Sequence, residues 1–262
     1  MDYLFRYWDS LEKNIQDKFI FLFLDFDGTL APIVSHPNKA EIPIAVKKLL
    51  KAISRKPGYK VAIISGRSLD DIKKRVGIRS LIYSGNHGLE VEGPKIKHAP
   101  TISEEYKKTL KNIKSELKRK LSKVRGILVE DKGLSLSLHF RQVRKNEVNL
   151  IKTVFREATI IPAVANRIKT RVGKKVLEVS PALRWDKGKI VLWLLARQKL
   201  ILYGKKIVPI YIGDDITDED AFKSLRKQGV TVFVGKNKPS HAQFYLRNPQ
   251  EVRDFLERIL DE

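Results

Sequence analysis

FIFLFLDFDGTL, residues 19–30, is the stretch that decides the predicted fold. Its first six residues are apolar without alternation and rich in aromatic and β-branched side chains, which is typical of a strand buried on both faces. Strands of this kind belong to parallel sheets, because helices cover both faces of such sheets. We therefore predict a central parallel strand at 19–24 that ends in a polar turn beginning at Asp25.

Short apolar strands and amphipathic helices alternate on both sides of this stretch. We predict helices at 2–18, 43–54, 187–198, 218–227 and 250–260, and a further helix that begins after the N-cap Ser68. We predict strands at 60–64, 80–84, 207–212 and 231–235. Strands that alternate with helices indicate an α/β fold, here a doubly wound, Rossmann-like parallel sheet.

The middle of the chain has a different pattern. Two predicted helices, 103–124 and 146–158, lie among four strands of alternating character: GILVED, SLSLHF, RIKTRVG and VLEVS. Several strands close together in sequence around helices indicate a small open α/β layer. We therefore predict that residues 97–182 form an inserted, smaller α/β domain and that residues 1–96 and 183–262 form the core domain.

The composition excludes several classes of protein and site. The chain has 262 residues, enough for one or two domains, and no cysteine. The absence of cysteine excludes a disulfide framework, a thiolate metal site and a cysteine nucleophile. No apolar run approaches the length of about 18 residues that a membrane-spanning helix needs, so we expect a cytoplasmic protein without a membrane partner.

Basic residues outnumber acidic ones, 52 to 30, which makes the net charge +22. Such a charge attracts polyanions, including nucleic acids and phosphorylated metabolites. The basic residues are spread along the whole chain, however, with no zinc-finger spacing and no ribonucleoprotein-type aromatic motif. This distribution favours a solvated basic surface over nucleic-acid binding, and it leaves open that the charge steers an anionic substrate.

Three of the predicted parallel strands end in polar clusters, which are Asp25–Thr29, Ser65–Arg67 and Gly213–Asp215. Ligands of open parallel sheets bind at the carboxyl ends of the strands, so we expect these clusters to meet at one edge. Asp25 and Asp27 lie two residues apart and can face the same site. Asp214, Asp215 and Asp218 bring more carboxylates, and a bound Mg²⁺ would relieve the repulsion among them through all-oxygen ligation.

These residue types suit phosphoryl transfer. A carboxylate can act as the nucleophile and form an aspartyl phosphate, while a second carboxylate protonates the leaving alcohol and then activates water. Lys187 and the backbone N–H groups around Ser65 and Gly66 can neutralise the phosphoryl oxygens. Each motif alone is common in turns and caps, so the specific signal is their joint order after apolar strands.

The motifs resemble those of haloacid-dehalogenase-type phosphatases in four places: DFDGTL, SGR, the later Lys187, and GDDITDEDAF. Longer segments, from residue 19 onward, are similar to trehalose-6-phosphate phosphatases: FLFLDFDGTLAPIVSHPNKAEIP, VAIISGRSLDDI, YSGNHGLEVEG, VEDKGLSLSLHFR, GKKVLEVSP and YIGDDITDEDAF. The resemblance implies a HAD-type core with an inserted cap domain. It also implies Mg²⁺-dependent hydrolysis of trehalose 6-phosphate.

The same resemblance implies roles for single residues. Asp25 would be the nucleophile and a metal ligand, and Asp27 the general acid/base, which ligates the metal through its backbone carbonyl. Asp214 would be the third metal ligand, with Asp215 and Asp218 close behind it. The implied phosphate-holding and substrate-binding residues are Ser65, Gly66, Arg67, Asn86, His87, Gly88 and Lys187 in the core, and Glu130, Lys132, Arg141 and Glu178 in the cap, where His139 belongs to the same motif.

One position departs from the family pattern. Trehalose-6-phosphate phosphatases more often have Arg where this chain has Ser180, and Arg184 is a nearby replacement. The departure bears on the exact sugar, so a phosphatase for sucrose phosphate or a glycosyl-phosphoglycerate is the alternative. A remote alternative is a basic nucleic-acid-binding protein on a phosphatase fold. The implied partners are the sugar phosphate and a separate trehalose-6-phosphate synthase.

Overall fold

A computed structural model describes residues 1–183 and 185–261. Internal contacts divide the chain into two compact units: unit 1 is Met1–Ala99 with Trp185–Glu262, and unit 2 is Pro100–Arg184. Unit 2 overlaps the predicted insertion in residues 100–182. Its role as a cap stays a prediction.

Short strands and helices follow one another along the chain. The strands are β1 (Asp2–Tyr3), β2 (Phe19–Leu24), β3 (Tyr59–Ile64), β4 (Ile82–Gly85), β5 (Glu90–Gly93), β6 (Ile96–His98), β7 (Leu128–Asp131), β8 (Leu136–His139), β9 (Ile168–Gly173), β10 (Val176–Pro181), β11 (Ile207–Gly213), β12 (Val230–Val234) and β13 (Phe244–Leu246). The helices are α1 (Trp8–Ile15), α2 (Ile44–Ile53), α3 (Leu69–Val76), α4 (Glu104–Lys120), α5 (Val148–Val164), α6 (Lys187–Ile201), α7 (Glu219–Leu225) and α8 (Pro249–Asp261). Over the residues that the structure describes, none of these helices combines the length and apolar character that crossing a bilayer requires.

The strands of unit 1 form one nine-stranded sheet with the order β1-β13-β12-β11-β2-β3-β4-β5-β6. In this spatial order, each pair of neighbouring strands from β1 through β13, β12, β11, β2 and β3 to β4 is parallel. The last two pairs, β4 with β5 and β5 with β6, are antiparallel. Strand β2 is the middle strand, between β11 and β3. The predicted doubly wound α/β class is therefore confirmed.

Two apolar cores cover the two faces of this sheet. Ile20, Leu22 and Leu24 of β2 belong to one core, whereas Phe21 and Phe23 belong to the other. All five side chains are fully buried. Successive side chains of a strand point to opposite faces, so a strand that is buried on both faces shows no polar alternation.

The predicted helix at 2–18 is wrong in its first part. Asp2–Tyr3 form β1, which pairs in parallel with β13, and Leu4–Tyr7 form a 3₁₀ helix before α1 begins. The Tyr3 hydroxyl donates to Glu251 Oε1 at 3.1 Å, and its ring packs against Tyr245. Pairing at the sheet edge thus overrides the helical periodicity of this segment.

Strands β5, β6 and β13 were not predicted from the sequence. Each has only three or four residues, and β6 is an edge strand of the sheet with β5 beside it. The sequence of β5, EVEG, has one apolar side chain between two glutamates. Such a segment carries too little periodicity to be identified locally, so pairing with β4 decides its conformation.

Unit 2 is a four-stranded antiparallel sheet, in the order β7-β8-β10-β9, with α4 and α5 on one face. On that face Leu138 and Leu177 pair across β8 and β10 and join the apolar side chains of both helices. The opposite face is polar. Residues that pair directly across neighbouring strands share a face, so the pairing shows which side chains line it. One row of it runs Glu130, Ser137, Glu178, Arg171. We call this surface the polar face of unit 2.

Candidate active site

The turn after β2 brings the carboxylate of Asp25 close to that of Asp214. The Asp25 N–H donates to the Ile212 carbonyl of β11 at 2.9 Å, which ties the turn to the neighbouring strand. Gly28 follows with a φ of +88°, and a β-carbon there would lie 2.4 Å from Asp214 Oδ2. Glycine therefore lets the turn pass close to the Asp214 carboxylate in a backbone conformation that other residues rarely adopt.

Asp25, Asp214 and Asp218 form a buried carboxylate group. Each side chain offers one oxygen, and these oxygens all lie within 4.8 Å of one another. Asp27, for which the resemblance implies ligation through the backbone carbonyl, directs its carboxylate to Arg67. The carboxylate of Asp215, also a predicted ligand, caps the turn that follows it. Carboxylate oxygens are the hard donors that Mg²⁺ prefers, so the three residues present fit a divalent cation.

Lys187 places a positive charge within this carboxylate group. It is the first residue of α6, which Asp186 caps by accepting from the Lys189 N–H at 2.9 Å. The Lys187 ammonium donates to Asp25 Oδ1 at 2.6 Å and to Asp218 Oδ1 at 2.7 Å. The lysine side chain is only 2% exposed, so both hydrogen bonds are shielded from bulk water.

The buried carboxyl groups repel one another when they are ionised, and Lys187 offsets only part of this repulsion. Burial raises the pKa of Asp25 well above its usual range, Asp218 and Asp214 act in the same direction, and Lys187 opposes them. Burial lowers the pKa of Lys187, but Asp218 and Asp25 outweigh this effect and raise that pKa. Lys187 is therefore charged, and one ammonium faces three carboxylates. A divalent cation would supply the missing positive charge.

Tyr211 belongs to the site and was not found from the sequence. Its hydroxyl donates to Asp218 Oδ1 at 2.6 Å, and the Asp215 N–H donates to Asp218 Oδ2 at 2.9 Å. With Lys187, these groups hold both oxygens of Asp218 in place. Tyr211 lies inside the apolar strand β11, and the only signal in the sequence is that a buried tyrosine hydroxyl needs a partner.

The SGR and GNHG turns, which follow β3 and β4, pack against each other. The Asn86 N–H donates to the Arg67 carbonyl at 2.7 Å, and the His87 N–H donates to the Ser65 carbonyl at 3.0 Å. A β-carbon at Gly66 would lie 2.4 Å from the His87 ring. The structure therefore brings these predicted substrate-binding residues into one cluster of loops in unit 1.

Two residues of the GNHG turn have an uncommon backbone conformation. Asn86 and His87 have φ values of 49° and 56°, in the left-handed region that is strained for residues other than glycine. Asn86 Nδ2 donates to Glu90 Oε2 at 2.6 Å, and the Trp185 indole N–H donates to the Gly88 carbonyl. Strain of this kind persists only where surrounding contacts fix it, and it is concentrated at functional sites.

Arg67 directs its guanidinium toward protein groups. Nε and Nη2 donate to the two carboxylate oxygens of Asp27, at 2.7 Å each. Nη1 donates to Asp71 Oδ2 at 2.8 Å, and Nη2 also donates to the Pro37 carbonyl at 3.0 Å. The carboxylate that the sequence suggested as general acid/base is therefore held by a bidentate ion pair.

The polar face of unit 2 carries three of its four predicted substrate-binding residues. Glu178 Oε1 accepts from the Ser137 hydroxyl at 2.8 Å and from the Lys132 ammonium at 3.2 Å. Glu130 Oε2 lies 2.7 Å from His139 Nε2. These residues come from β7, β8 and β10 and the turn after β7, and the sheet pairing aligns them.

The remaining positions of unit 2 differ in their surroundings. Arg141 is exposed and donates from Nη2 to a backbone carbonyl between β9 and β10 at 3.3 Å. Ser180 is half-buried near the end of β10, and Arg184, suggested as a replacement for a family arginine, lies outside the described residues. Arg171 of β9, which the sequence did not single out, stands directly opposite Glu178.

Known proteins are similar to this chain in sequence and in fold. The family model for trehalose-phosphatase matches residues 23–250. Trehalose-phosphate phosphatase B of Arabidopsis thaliana is 34% identical over 97% of this chain and 70% of its own length. Trehalose-phosphate phosphatase of Mycobacterium leprae is 34% identical over 91% of this chain and 57% of its own length.

A solved structure has the same fold. The C-terminal domain of C. albicans trehalose-6-phosphate phosphatase superposes with a TM-score of 0.83 at 24% identity, over 97% of this chain and 96% of that one. The match of the family model to most of the chain agrees with the carboxylates, lysine and glycine-rich turns that unit 1 assembles. The chain is therefore a phosphatase and belongs to the trehalose-phosphatase family.

Proposed function

We propose that the protein hydrolyses trehalose 6-phosphate to trehalose and inorganic phosphate, with Mg²⁺ and through an aspartyl phosphate on Asp25. The observation that carries the mechanism is the Asp25 carboxylate, buried beside Asp214 and held through one oxygen by Lys187. Family membership supports the substrate. The cytoplasmic location and the separate synthase that would supply this substrate stay predictions.

The carboxylate group of unit 1 would hold the metal ion. Asp25 and Asp214 would be carboxylate ligands, with Asp218 close behind them, where it accepts hydrogen bonds from Lys187, Tyr211 and the Asp215 N–H. When bound, Mg²⁺ supplies positive charge that offsets the phosphoryl oxygens and reduces their repulsion of the attacking carboxylate. The Ser65 N–H donates to the Ser84 carbonyl at 2.9 Å, so Ser65 would bind a phosphate oxygen through its hydroxyl and Gly66 through its backbone N–H.

The first step transfers the phosphoryl group to the protein. Lys187 occupies Oδ1 of Asp25, so we assign Oδ2 as the atom that attacks phosphorus. The bond between phosphorus and the sugar oxygen breaks, and that oxygen takes a proton from the carboxyl group of Asp27. Lys187 stays protonated throughout and stabilises charge at the reacting carboxylate.

The second step releases phosphate. A water molecule attacks the phosphorus of the aspartyl phosphate and gives a proton to the Asp27 carboxylate. The bond between phosphorus and the Asp25 oxygen then breaks, which regenerates the Asp25 carboxylate and the protonated Asp27. The two steps together consume one water and leave the protein unchanged.

We assign recognition of the sugar to the polar face of unit 2. Glu130, Lys132 and Glu178 offer carboxylate and ammonium groups there, and charged groups make the stronger hydrogen bonds to hydroxyls. A site that hydrogen-bonds sugar hydroxyls rejects a substrate that lacks them, because its buried polar groups then lose their partners. This face is therefore where trehalose 6-phosphate would be distinguished from other sugar phosphates.

The test is phosphate release from a panel of phosphorylated sugars, with and without Mg²⁺. Asp25→Asn should abolish release, whereas Asp17→Asn, a change at an exposed aspartate, should leave it unchanged. Mg²⁺-dependent release from trehalose 6-phosphate in preference to sucrose 6-phosphate would support the proposal. Preference for another sugar phosphate would refute the substrate assignment and keep the mechanism. Full activity of Asp25→Asn would refute the mechanism.

A further inference from the structure

Four charged side chains of unit 1 form a continuous network that ends at Asp27. Arg75 Nε donates to Asp71 Oδ2 at 2.8 Å, and Arg67 Nη1 donates to the same oxygen at 2.8 Å. Arg67 then donates twice to Asp27. Arg75 is fixed in turn by the Ala40 carbonyl, which accepts from Nη1 at 2.6 Å.

The donors of Arg67 are almost fully used within the protein. A guanidinium has five N–H groups, and the contacts with Asp27, Asp71 and the Pro37 carbonyl account for four of them. The Arg67 side chain is 7% exposed, and its guanidinium lies over the Phe26 ring at 5.4 Å. These contacts leave Arg67 little capacity to bind a substrate phosphate directly.

Asp27 has few other restraints on its side chain. That side chain is 43% exposed, and an exposed carboxylate without partners rotates freely among rotamers. Two parallel hydrogen bonds from one planar guanidinium fix both the position and the plane of the carboxylate.

We propose that Arg67 is a positioning residue that orients Asp27 for proton transfer, with Asp71 and Arg75 holding Arg67 in place. The inference rests on the proposed function, in which Asp27 gives a proton to the leaving sugar oxygen and takes one from water. It assigns the arginine of the SGR turn to the proton-transfer group and not to the substrate.

The kinetic test separates these two roles. Removal of a positioning group lowers kcat, whereas removal of a group that binds the substrate raises KM. We expect Arg67→Ala and Arg67→Lys to lower kcat about 10- to 100-fold, because a small misplacement of a catalytic group has an effect of that size. KM for trehalose 6-phosphate and inhibition by inorganic phosphate should stay near wild-type values. The matched control is Arg79→Ala, at an exposed arginine that follows α3, which should behave as wild type.

Chemical rescue gives a signature that a general structural defect would not show. Guanidinium at millimolar concentration should restore part of the kcat of Arg67→Ala, by occupying the space between Asp27 and Asp71, and equal concentrations of sodium chloride should not. Arg67→Ala/Asp71→Asn should be rescued less, since the guanidinium then loses one of its two carboxylate partners. A raised KM with unchanged kcat, or absence of rescue in a folded variant, would overturn the proposal.

Two further measurements keep the test decisive. If Arg67→Ala does not fold, Asp71→Asn replaces it, because this change loosens Arg67 without touching Asp27. In that variant kcat should fall with KM unchanged.

If the wild-type protein does not hydrolyse trehalose 6-phosphate, the proposed substrate is refuted, and p-nitrophenyl phosphate becomes the substrate for testing Arg67. Its leaving group departs without a proton, so Arg67→Ala should keep the initial burst of nitrophenolate and lose steady-state turnover. A burst that slows as much as turnover would contradict the inference.

Discussion

Replacement of Lys187 by methionine removes the positive charge from the carboxylate group with little change in side-chain length. Asp25 Oδ1 and Asp218 Oδ1 then lose the ammonium that lies 2.6 and 2.7 Å away. Removal of one partner from a buried ion pair costs about 3–5 kcal/mol, because the other charge stays buried without compensation. Since 1 kcal/mol corresponds to about 2–4 °C in a protein of this size, we expect Tm to fall by about 6–20 °C.

The loss of stability in Lys187→Met should depend on pH. Burial and the neighbouring Asp218 and Asp214 raise the pKa of Asp25, and the variant lacks the ammonium that opposes them. Above the unfolded pKa of the carboxyl group, folded protein then binds more protons than unfolded protein, so its stability rises as pH falls. The difference in Tm between variant and wild type should therefore be smaller at about pH 5 than at about pH 8.

The assay is thermal unfolding in EDTA, followed by phosphate release with Mg²⁺. The matched control is Lys189→Met, two residues further along α6, where the lysine side chain is 47% exposed. The control should melt like wild type, and Lys187→Met should lose about 10²- to 10³-fold in kcat, as expected for a group that stabilises developing charge. A wild-type Tm for Lys187→Met in EDTA, or a larger difference at low pH, would refute the reasoning.

Three further predictions concern other parts of the site. Gly28→Ala should abolish phosphate release, because its β-carbon would meet Asp214 Oδ2 at 2.4 Å, whereas Gly58→Ala, at a similar φ with open space around it, should only lower Tm slightly. Tyr211→Phe should reduce kcat about tenfold through loss of one hydrogen bond to Asp218, and Tyr203→Phe, at a tyrosine that is 94% exposed, should have no effect. Glu178→Gln should raise KM for trehalose 6-phosphate but not for p-nitrophenyl phosphate; an equal rise for both substrates would contradict the assignment of unit 2 to the sugar.

The elements that sequence reasoning predicted best are those with strong local patterns. Strand β2 begins and ends at the predicted residues, Phe19 and Leu24. Ser68 caps α3 as predicted, by accepting from the Asp71 N–H at 3.3 Å. In these places the burial pattern and the hydrogen-bonding capacity of nearby residues determine the local structure, so a short window of sequence contains the necessary information.

Other features depend on residues that are distant in sequence. The strand at Asp2–Tyr3 exists because β13 offers an edge more than 200 residues later, where Tyr3 lies opposite Tyr245. The left-handed conformation of His87 is fixed by contacts with the SGR turn, including the hydrogen bond to Ser65. Local propensity favours a different conformation at both places, and tertiary contacts outweigh it.

The sequence by itself determined the α/β class, the central strand and the kinds of side chain available for catalysis. A strand buried on both faces is an uninterrupted apolar run, and clustered carboxylates are visible as aspartates that follow such runs. Only the tertiary structure decided how the charged groups are paired. In that structure Arg67 donates to Asp27, Tyr211 donates to Asp218, and Lys187 lies between the carboxylates of Asp25 and Asp218. The partners of a buried charge come from other strands and helices, so spacing along the chain cannot identify them.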